Sequence, residues 1–236
     1  MYKPWAIATA ATFTFISSPA LAQQLGQFGS QGDAALSVER LFGINFTHVY
    51  EELDPPQGPN DDDEVEDDYV GLSFGWRGPY APQYSPFDTP RLAFDYFILD
   101  RVNVGGSIAY ATGKDDSEDF IDGNTPPAPG PSDYTTFLFA PRAGYAVMFA
   151  DAVGIWPRGG ITYHYYSVDG WYSEDGLALT LEAMFVIAPI QHLGILIGPT
   201  FDIDLVGGRD YDIGPATGVK RTYRSIGLQI GLLGWM

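Results

Sequence analysis

The sequence predicts an all-β protein, an antiparallel up-and-down transmembrane β-barrel of eight strands, with ten strands as the alternative. Apolar and polar residues alternate with a period of two in segment after segment between Leu36 and Leu232, as in strands with one apolar face. Aromatic residues make up 15% of the chain and glycines number 28, which favours strands and turns over helices. After the N-terminal region no run approaches the roughly 18 apolar residues of a transmembrane helix.

The N-terminal region is predicted to be an export signal. Lys3 provides a positive start, an apolar stretch follows from Trp5 to Ile16, and small residues lead to Ala22. This pattern predicts a cleaved signal peptide over residues 1–22, with an N-terminal anchor as the alternative. Residues 23–33 are polar and glycine-rich and are interpreted as a flexible leader. Residues 34–236 then form a single barrel domain.

Eight segments carry the alternation that predicts strands. They are residues 36–50, 92–98, 102–110, 137–147, 155–165, 177–187, 195–203 and 226–232. A further strand-like stretch, Tyr69 to Trp76, would raise the count to nine and place the two termini at opposite ends. We therefore interpret residues 69–76 and 90–98 as two parts of one interrupted strand, and an additional hairpin would give the alternative of ten.

The lengths of the connections between these segments distinguish the two ends of the barrel. Those near residues 99–101, 149–151 and 190–192 are short, whereas those around 113–133, 167–175 and 206–219 are expected to be longer and polar. Short turns at one end and longer loops at the other are typical of outer-membrane barrels.

Charged residues of both signs fall on the parity opposite the aliphatic residues. They are Glu39, Arg91, Asp95, Arg142, Arg158, Glu182, Asp202 and Asp204. In a membrane barrel this parity faces the lumen, which in an eight-stranded barrel is just wide enough for side chains to fill. The sequence thus predicts a charge network that plugs the lumen. A soluble, lipocalin-like barrel with the apolar parity inside is the alternative.

Three stretches resemble a known superfamily. Residues 90–97 (PRLAFDYF), 104–107 (VGGS) and 227–236 (GLQIGLLGWM) resemble the outer-membrane β-barrel proteins of Gram-negative bacteria, and the resemblance covers nearly all of the chain after the leader. It implies a location in the outer membrane, contact with its lipid, and insertion by the barrel-insertion machinery. In that superfamily the last strand usually ends in an aromatic residue, whereas here Trp235 is penultimate and Met236 is last.

Composition limits the partners and the chemistry. The net charge of −18 argues against nucleic acid as a partner, and the absence of cysteine excludes disulfides and a lipidated N-terminus. An acidic run could attract a divalent cation but lacks the ligand spacing of a calcium loop, so we interpret it as a solvated loop and predict no metal site. Its members are Asp61, Asp62, Asp63, Glu64, Glu66, Asp67 and Asp68.

The sequence favours a non-enzymatic monomer without a cofactor. Of the three histidines, only His164, with Ser167 and Asp169 nearby, could begin a hydrolase site, and no nucleophile motif surrounds it. We expect a structural or surface-interaction role with acidic extracellular loops. The alternatives are a narrow transporter or channel for small apolar molecules, which a lateral opening or an unfilled lumen would favour, a membrane-embedded hydrolase, and the soluble binder.

Overall fold

The computed structural model describes residues 28–53, 64–74, 85–115, 132–211 and 219–236. The strands in these residues are β1 (Ala34–Leu53), β2 (Glu64–Phe74), β3 (Arg91–Leu99), β4 (Val102–Asp115), β5 (Ser132–Tyr145), β6 (Val147–Ala150), β7 (Val153–Val168), β8 (Tyr172–Ile190), β9 (Leu193–Tyr211) and β10 (Val219–Trp235). A short 3₁₀ helix, Pro86–Asp88, precedes β3. No helix in the described part of the chain is long and apolar enough to cross a membrane.

The ten strands form one antiparallel sheet that closes on itself between β1 and β10. β2 and β3 both pair with the same edge of β1, β2 with residues 42–52 and β3 with residues 34–39. β5 and β6 likewise share β7 as their partner. The ten segments therefore occupy eight positions around the barrel. This confirms the predicted architecture, including the interrupted strand that precedes β4.

The two ends of the barrel differ. The turns at 100–101, 151–152 and 191–192 lie at one end, the turn end, together with both ends of the barrel domain, where the Ala34 amide donates to the Met236 carbonyl at 2.9 Å. At the opposite, loop end, β7 and β8 are joined by residues 169–171 alone, with Gly170 at a φ of 72°. The predicted longer connection over 167–175 is thus wrong, because both strands extend to this tight turn.

The outer face of the barrel is apolar and the inner face is mostly polar. Outward side chains include Leu36, Phe46, Phe94, Ile108, Phe139, Leu181, Phe185, Phe201, Ile226 and Leu232, all exposed. Inward side chains include the charged residues that sequence alternation placed inside. A soluble barrel would bury its apolar parity, so this arrangement is the reverse of the lipocalin-like alternative.

The described part of the leader lies against the turn end. Residues 28–33, expected to be flexible, form turns against the turn end, and Phe28 is buried inside the barrel. The Arg101 amide donates to the Gly29 carbonyl at 2.7 Å, and the Phe97 amide donates to the Asp33 carbonyl at 2.9 Å. An apolar ring that fills the barrel mouth explains the order of this segment. The predicted signal peptide and residues 23–27 lie outside the described residues.

Candidate functional site: a closed lumen with a lateral gap

Eight charged side chains meet at mid-height in the lumen, and we call this set the ionic layer. It consists of Glu39, Arg40, Arg91, Asp95, Arg142, Arg158, Glu182 and Asp202. Seven of them belong to the network predicted from the sequence, and Arg40 was missed. Four arginines and four carboxylates balance one another, so the layer carries no net charge while it fills the lumen.

Arg142 is the hub of the layer. It lies 2.7 Å from Glu39 and 2.6 Å from Asp95, and Glu182 follows at 3.4 Å. Arg158 joins the same carboxylates from β7, 2.6 Å from Glu39 and 2.7 Å from Glu182. Arg158 and Glu182 are on the neighbouring strands β7 and β8, but the other contacts join strands that are not neighbours in the sheet. Because planar guanidinium groups can pair with carboxylates through two hydrogen bonds, these contacts fix the positions of those strands.

Arg40 enters the layer through a bulge. β1 places three residues, 39–41, opposite the single residue Gly231 of β10, and Arg40 has a φ of 56°. Both Glu39 and Arg40 can then point inward, and Arg40 lies 2.8 Å from Asp202 on β9. In the sequence, the sign of this bulge was the pair of adjacent charged residues, Glu39 and Arg40, inside an alternating strand. Two extra residues restore the parity beyond the bulge, so the alternation did not show it.

Arg91 is the member of the layer with the fewest partners. Its side chain is buried, and Nε and Nη2 have no hydrogen-bond partner among the described residues. It borders a cavity of about 10 Å³ that Arg158, Thr180 and Glu182 also line. That volume is about the least that one water molecule needs.

Below the ionic layer, aromatic side chains close the turn end, and we call this set the aromatic floor: Phe28, Phe97, Trp156 and Trp235. The ring of Phe28 meets the other three edge-on, with centroids 5.1 to 5.4 Å apart. Trp235 therefore points inward, and Met236 takes the exposed outer position at the end of β10. The resemblance implied an aromatic residue at the end of the last strand, and here that residue, Trp235, packs inside the barrel.

The described strands leave an interruption in the barrel wall between β2 and the upper part of β4. Among the described residues β2 pairs only with β1, and β4 pairs with β3 no higher than Ile108, so residues 109–115 have a partner only in β5. The outward side chains of β2 are unusually exposed, as expected for a strand that has a neighbour on one side only. Leu72 and Phe74 are 79% and 72% exposed, against 56% for Phe46 on the doubly paired β1. We call this interruption the lateral gap.

A short segment before β3 enters the lumen beside the lateral gap. Phe87 of the 3₁₀ helix is fully buried, and its ring lies in an apolar cluster formed by Val49, Ala109, Leu138, Ala178 and Tyr223. Arg40 Nη1 donates to the Phe87 carbonyl at 2.6 Å, and Asp88 accepts from Asn45. Alternation does not reveal such a segment, because it belongs to no strand.

The predicted start of a hydrolase site is not assembled. His164 points into the lumen, whereas Ser167 has the opposite parity on β7 and Asp169 lies in the turn at the loop end. The partner of His164 is instead Asp204 on β9, with Nε2 and Oδ1 3.0 Å apart. Asp204, predicted as part of the central network, thus lies in a separate contact above it, where Oδ2 accepts from the Tyr223 amide at 2.9 Å.

A second polar network lies inside the wall near the loop end. Glu174 accepts from Tyr223 Oη at 2.6 Å and from Arg209 Nε at 2.5 Å, and Arg221 Nη1 donates to Glu51 at 2.5 Å. The guanidinium of Arg209 also lies 4.4 Å from the ring centre of Tyr172. These residues were not singled out from the sequence. Glu174 and Arg221 continue the alternation of their strands, whereas Arg209 faces inward only because the register of β9 shifts at Leu205.

The acidic run divides at residue 64. Asp61, Asp62 and Asp63 lie outside the described residues, whereas the other four belong to β2 and not to a loop. Asp68 pairs with His48 of β1, at 2.9 Å, and Glu64 and Glu66 share its parity while Asp67 lies on the other. Within the described residues no three histidine or acidic side chains are grouped to hold a metal ion.

Comparisons with known proteins support the fold. No family model and no curated protein matches the chain. The crystal structure of the outer membrane protein OprG from Pseudomonas aeruginosa matches 89% of this chain and 99% of its own, at 12% identity and a TM-score of 0.53. The solid-state NMR structure of the outer membrane protein AlkL in lipid bilayers matches 97% of both chains, at 13% identity and a TM-score of 0.50. The chain therefore has the fold of the small outer-membrane β-barrel proteins.

Proposed function

We propose that the protein resides in the outer membrane, admits small apolar molecules from its loop end, and releases them sideways into the lipid through the lateral gap. The single observation that carries the proposal is that, in the part of the chain that the structure describes, no strand pairs with β2 or with residues 109–115 of β4 on the sides where they face each other. The sequence analysis gave a transporter for small apolar molecules as an alternative that a lateral opening would favour.

The outer face supports membrane embedding. On β8 the outward apolar side chains run from Leu177 to Ile187. Ten residues of strand span roughly 33 Å along the strand, and a tilt of about 40° reduces this to about 25 Å of height, the thickness of the apolar band in outer-membrane barrels. On β2 the acidic Asp68 is followed on the same face by Val70, which marks the loop-end edge of that band.

The lumen is closed toward the turn end, which leaves a sideways route. The aromatic floor and the ionic layer lie one above the other below the lateral gap. A molecule that entered from the loop end could not pass the paired charges without breaking them, and breaking a buried ion pair costs several kcal/mol, about 3–5.

The inner surface beside the lateral gap favours apolar cargo. Val49, Leu138 and Ala178 face the lumen at this height, as do Ala109 and Ala111 on the unpaired part of β4. Small and apolar walls offer little to an ion and a favourable surface to a hydrocarbon, because transfer of apolar area from water stabilises by about 25 cal/mol per Å².

An unpaired strand edge at membrane depth is energetically costly. Backbone amide and carbonyl groups that face hydrocarbon without partners each cost several kcal/mol, so barrels normally close completely. Irregular wall structure at this depth is tolerated where it is buried against protein, and here it borders the packed Phe87 cluster. The structural or surface-interaction role expected first from the sequence does not account for this opening.

Uptake of radiolabelled toluene by cells tests the proposal. We expect faster uptake when the protein is present in the outer membrane, and a return to the background rate in Ala111→Trp, which places a large side chain beside the lateral gap. Ala183→Trp, on the outer face of β8 away from the gap, is the matched control and should retain uptake. Equal uptake with and without the wild-type protein would refute transport, and heat-modifiability on gels verifies that each variant has folded.

A further inference from the structure

The ring of Phe87 is not part of the barrel wall, although it fills the lumen beside the lateral gap. The side chain is fully buried, and it comes from the 3₁₀ helix Pro86–Asp88. Its centroid lies 5.3 Å from that of His164 and 6.5 Å from that of Tyr223, and both rings meet it edge-on. The other buried members of the cluster are aliphatic, and Tyr69 packs against it. The ring thus occupies an apolar site with aromatic edges.

The polar contacts of this segment hold its backbone and leave the ring without a polar contact. The Phe87 carbonyl accepts from Arg40, and the Phe87 amide donates to Ser85 Oγ at 3.2 Å. Asp88 lies against β2, since a Cβ on Gly71 would come within 2.6 Å of its carboxylate. The ring itself makes only packing contacts, so it can rotate out of its site without the loss of a hydrogen bond of the wall.

The site of the ring adjoins the lateral gap on both sides. Ala109 belongs to the unpaired part of β4, and Tyr69 of β2 packs against the same cluster. A molecule that crossed from the lumen to the gap at this height would meet the ring. The ionic layer lies on the other side, where Arg40 contacts the carbonyl of the same residue.

We propose that the ring of Phe87 occupies the binding site of the transported molecule when no ligand is present. A neutral, single-ring hydrocarbon then displaces the benzyl ring and takes its place. This inference rests on the proposed function. The size follows from the resident ring, and the preference for an aromatic ring follows from the edge-on contacts with His164 and Tyr223. An apolar cavity of about 150 Å³ is known to stay dry and to bind benzene, so a site of this kind suits such a ligand.

Fluorine NMR tests the replacement directly. 4-Fluorophenylalanine at position 87, in the otherwise unchanged protein in detergent micelles, should show a saturable shift of its resonance on titration with toluene. The same label at position 97, in the aromatic floor and across the ionic layer, is the matched control and should not respond. In Phe87→Ala the vacated site should bind fluorobenzene at least tenfold more tightly than the wild-type protein does, because no ring has to be displaced.

The outcomes separate this inference from the proposed function. A saturable response at position 87 alone supports the replacement. An unchanged resonance at position 87 at saturating toluene overturns it, even if cells that contain the protein still take up toluene, in which case transport stands by another path. A response at position 87 without faster uptake in cells would support the ligand site and refute transport.

Discussion

Arg142 of β5 and Glu39 of β1 meet across the lumen in a two-point ion pair, with Nη1 2.7 Å from Oε2 and Nη2 2.8 Å from Oε1. The two residues are 103 positions apart in the chain and lie on strands that do not pair. Since both are almost fully removed from solvent, each depends on the other for compensation of its charge.

Removal of this arginine should strongly destabilise the barrel. In Arg142→Met, Glu39 and Asp95 lose a buried cation, and we expect the free energy of unfolding to fall by about 3–5 kcal/mol. Lys220→Met is the control, because the Lys220–Glu52 pair is largely exposed and should contribute less than about 1 kcal/mol. Urea unfolding in micelles measures both, and similar losses in the two variants would contradict a special role for the ionic layer.

The lateral gap should be visible in hydrogen exchange. Amides of β2 that point away from β1 have no described strand partner, so about half of those in 64–74 should exchange quickly. β8 pairs with β7 and β9 and provides the control. Exchange measured by mass spectrometry that is as slow in β2 as in β8 would mean that the wall is closed in solution.

Loss of the aromatic floor should weaken the protein without making it conduct ions. Phe28→Ala removes a ring that touches Phe97, Trp156 and Trp235, and we expect a cost of about 3–5 kcal/mol. In planar bilayers neither the wild type nor this variant should show a stable conductance, because the ionic layer remains. Phe149→Ala, on the outer face, is the control and should cost less. A large stable conductance of the wild type would refute the closed lumen.

A glycine on β8 should be sensitive to a single added methyl group. A Cβ on Gly176 would lie 2.5 Å from Nε2 of the buried His164, whereas a Cβ on Gly208 of β9 would meet only the Val219 carbonyl at 3.6 Å. We expect Gly176→Ala to cost about 1–3 kcal/mol and Gly208→Ala to stay within about 0.5 kcal/mol of the wild type. Thermal unfolding distinguishes them, and equal melting temperatures would show that His164 moves aside freely.

The sequence was informative where lipid imposes a pattern. Within the apolar band every second side chain must be apolar, so the alternation showed the strands. The requirement that both termini lie at one end correctly placed residues 69–74 and 91–98 along the same edge of β1. Above the band no such requirement exists. The extension of β7 and β8 to a turn at Gly170 therefore resembled a polar loop in the sequence.

The interior was only partly predictable. The parity of a strand indicates which charges face the lumen but not which arginine reaches which carboxylate, because that depends on the register and tilt of several strands. Arg40 has the same even parity as the outward Leu36 and Phe42, and only the bulge turns it inward. Phe87 could not be found by alternation, because it reaches the lumen from a segment between strands.

The ionic layer bears on how the barrel assembles. Arg40 and Asp202 are separated by 162 residues, and Glu39 and Arg142 come from the first strand and the middle of the chain. No neighbouring hairpin can complete these pairs, so a partly inserted sheet would carry uncompensated charges toward hydrocarbon. Insertion and closure should therefore occur as one cooperative event, in which the first and last strands meet before any arginine in the layer leaves water.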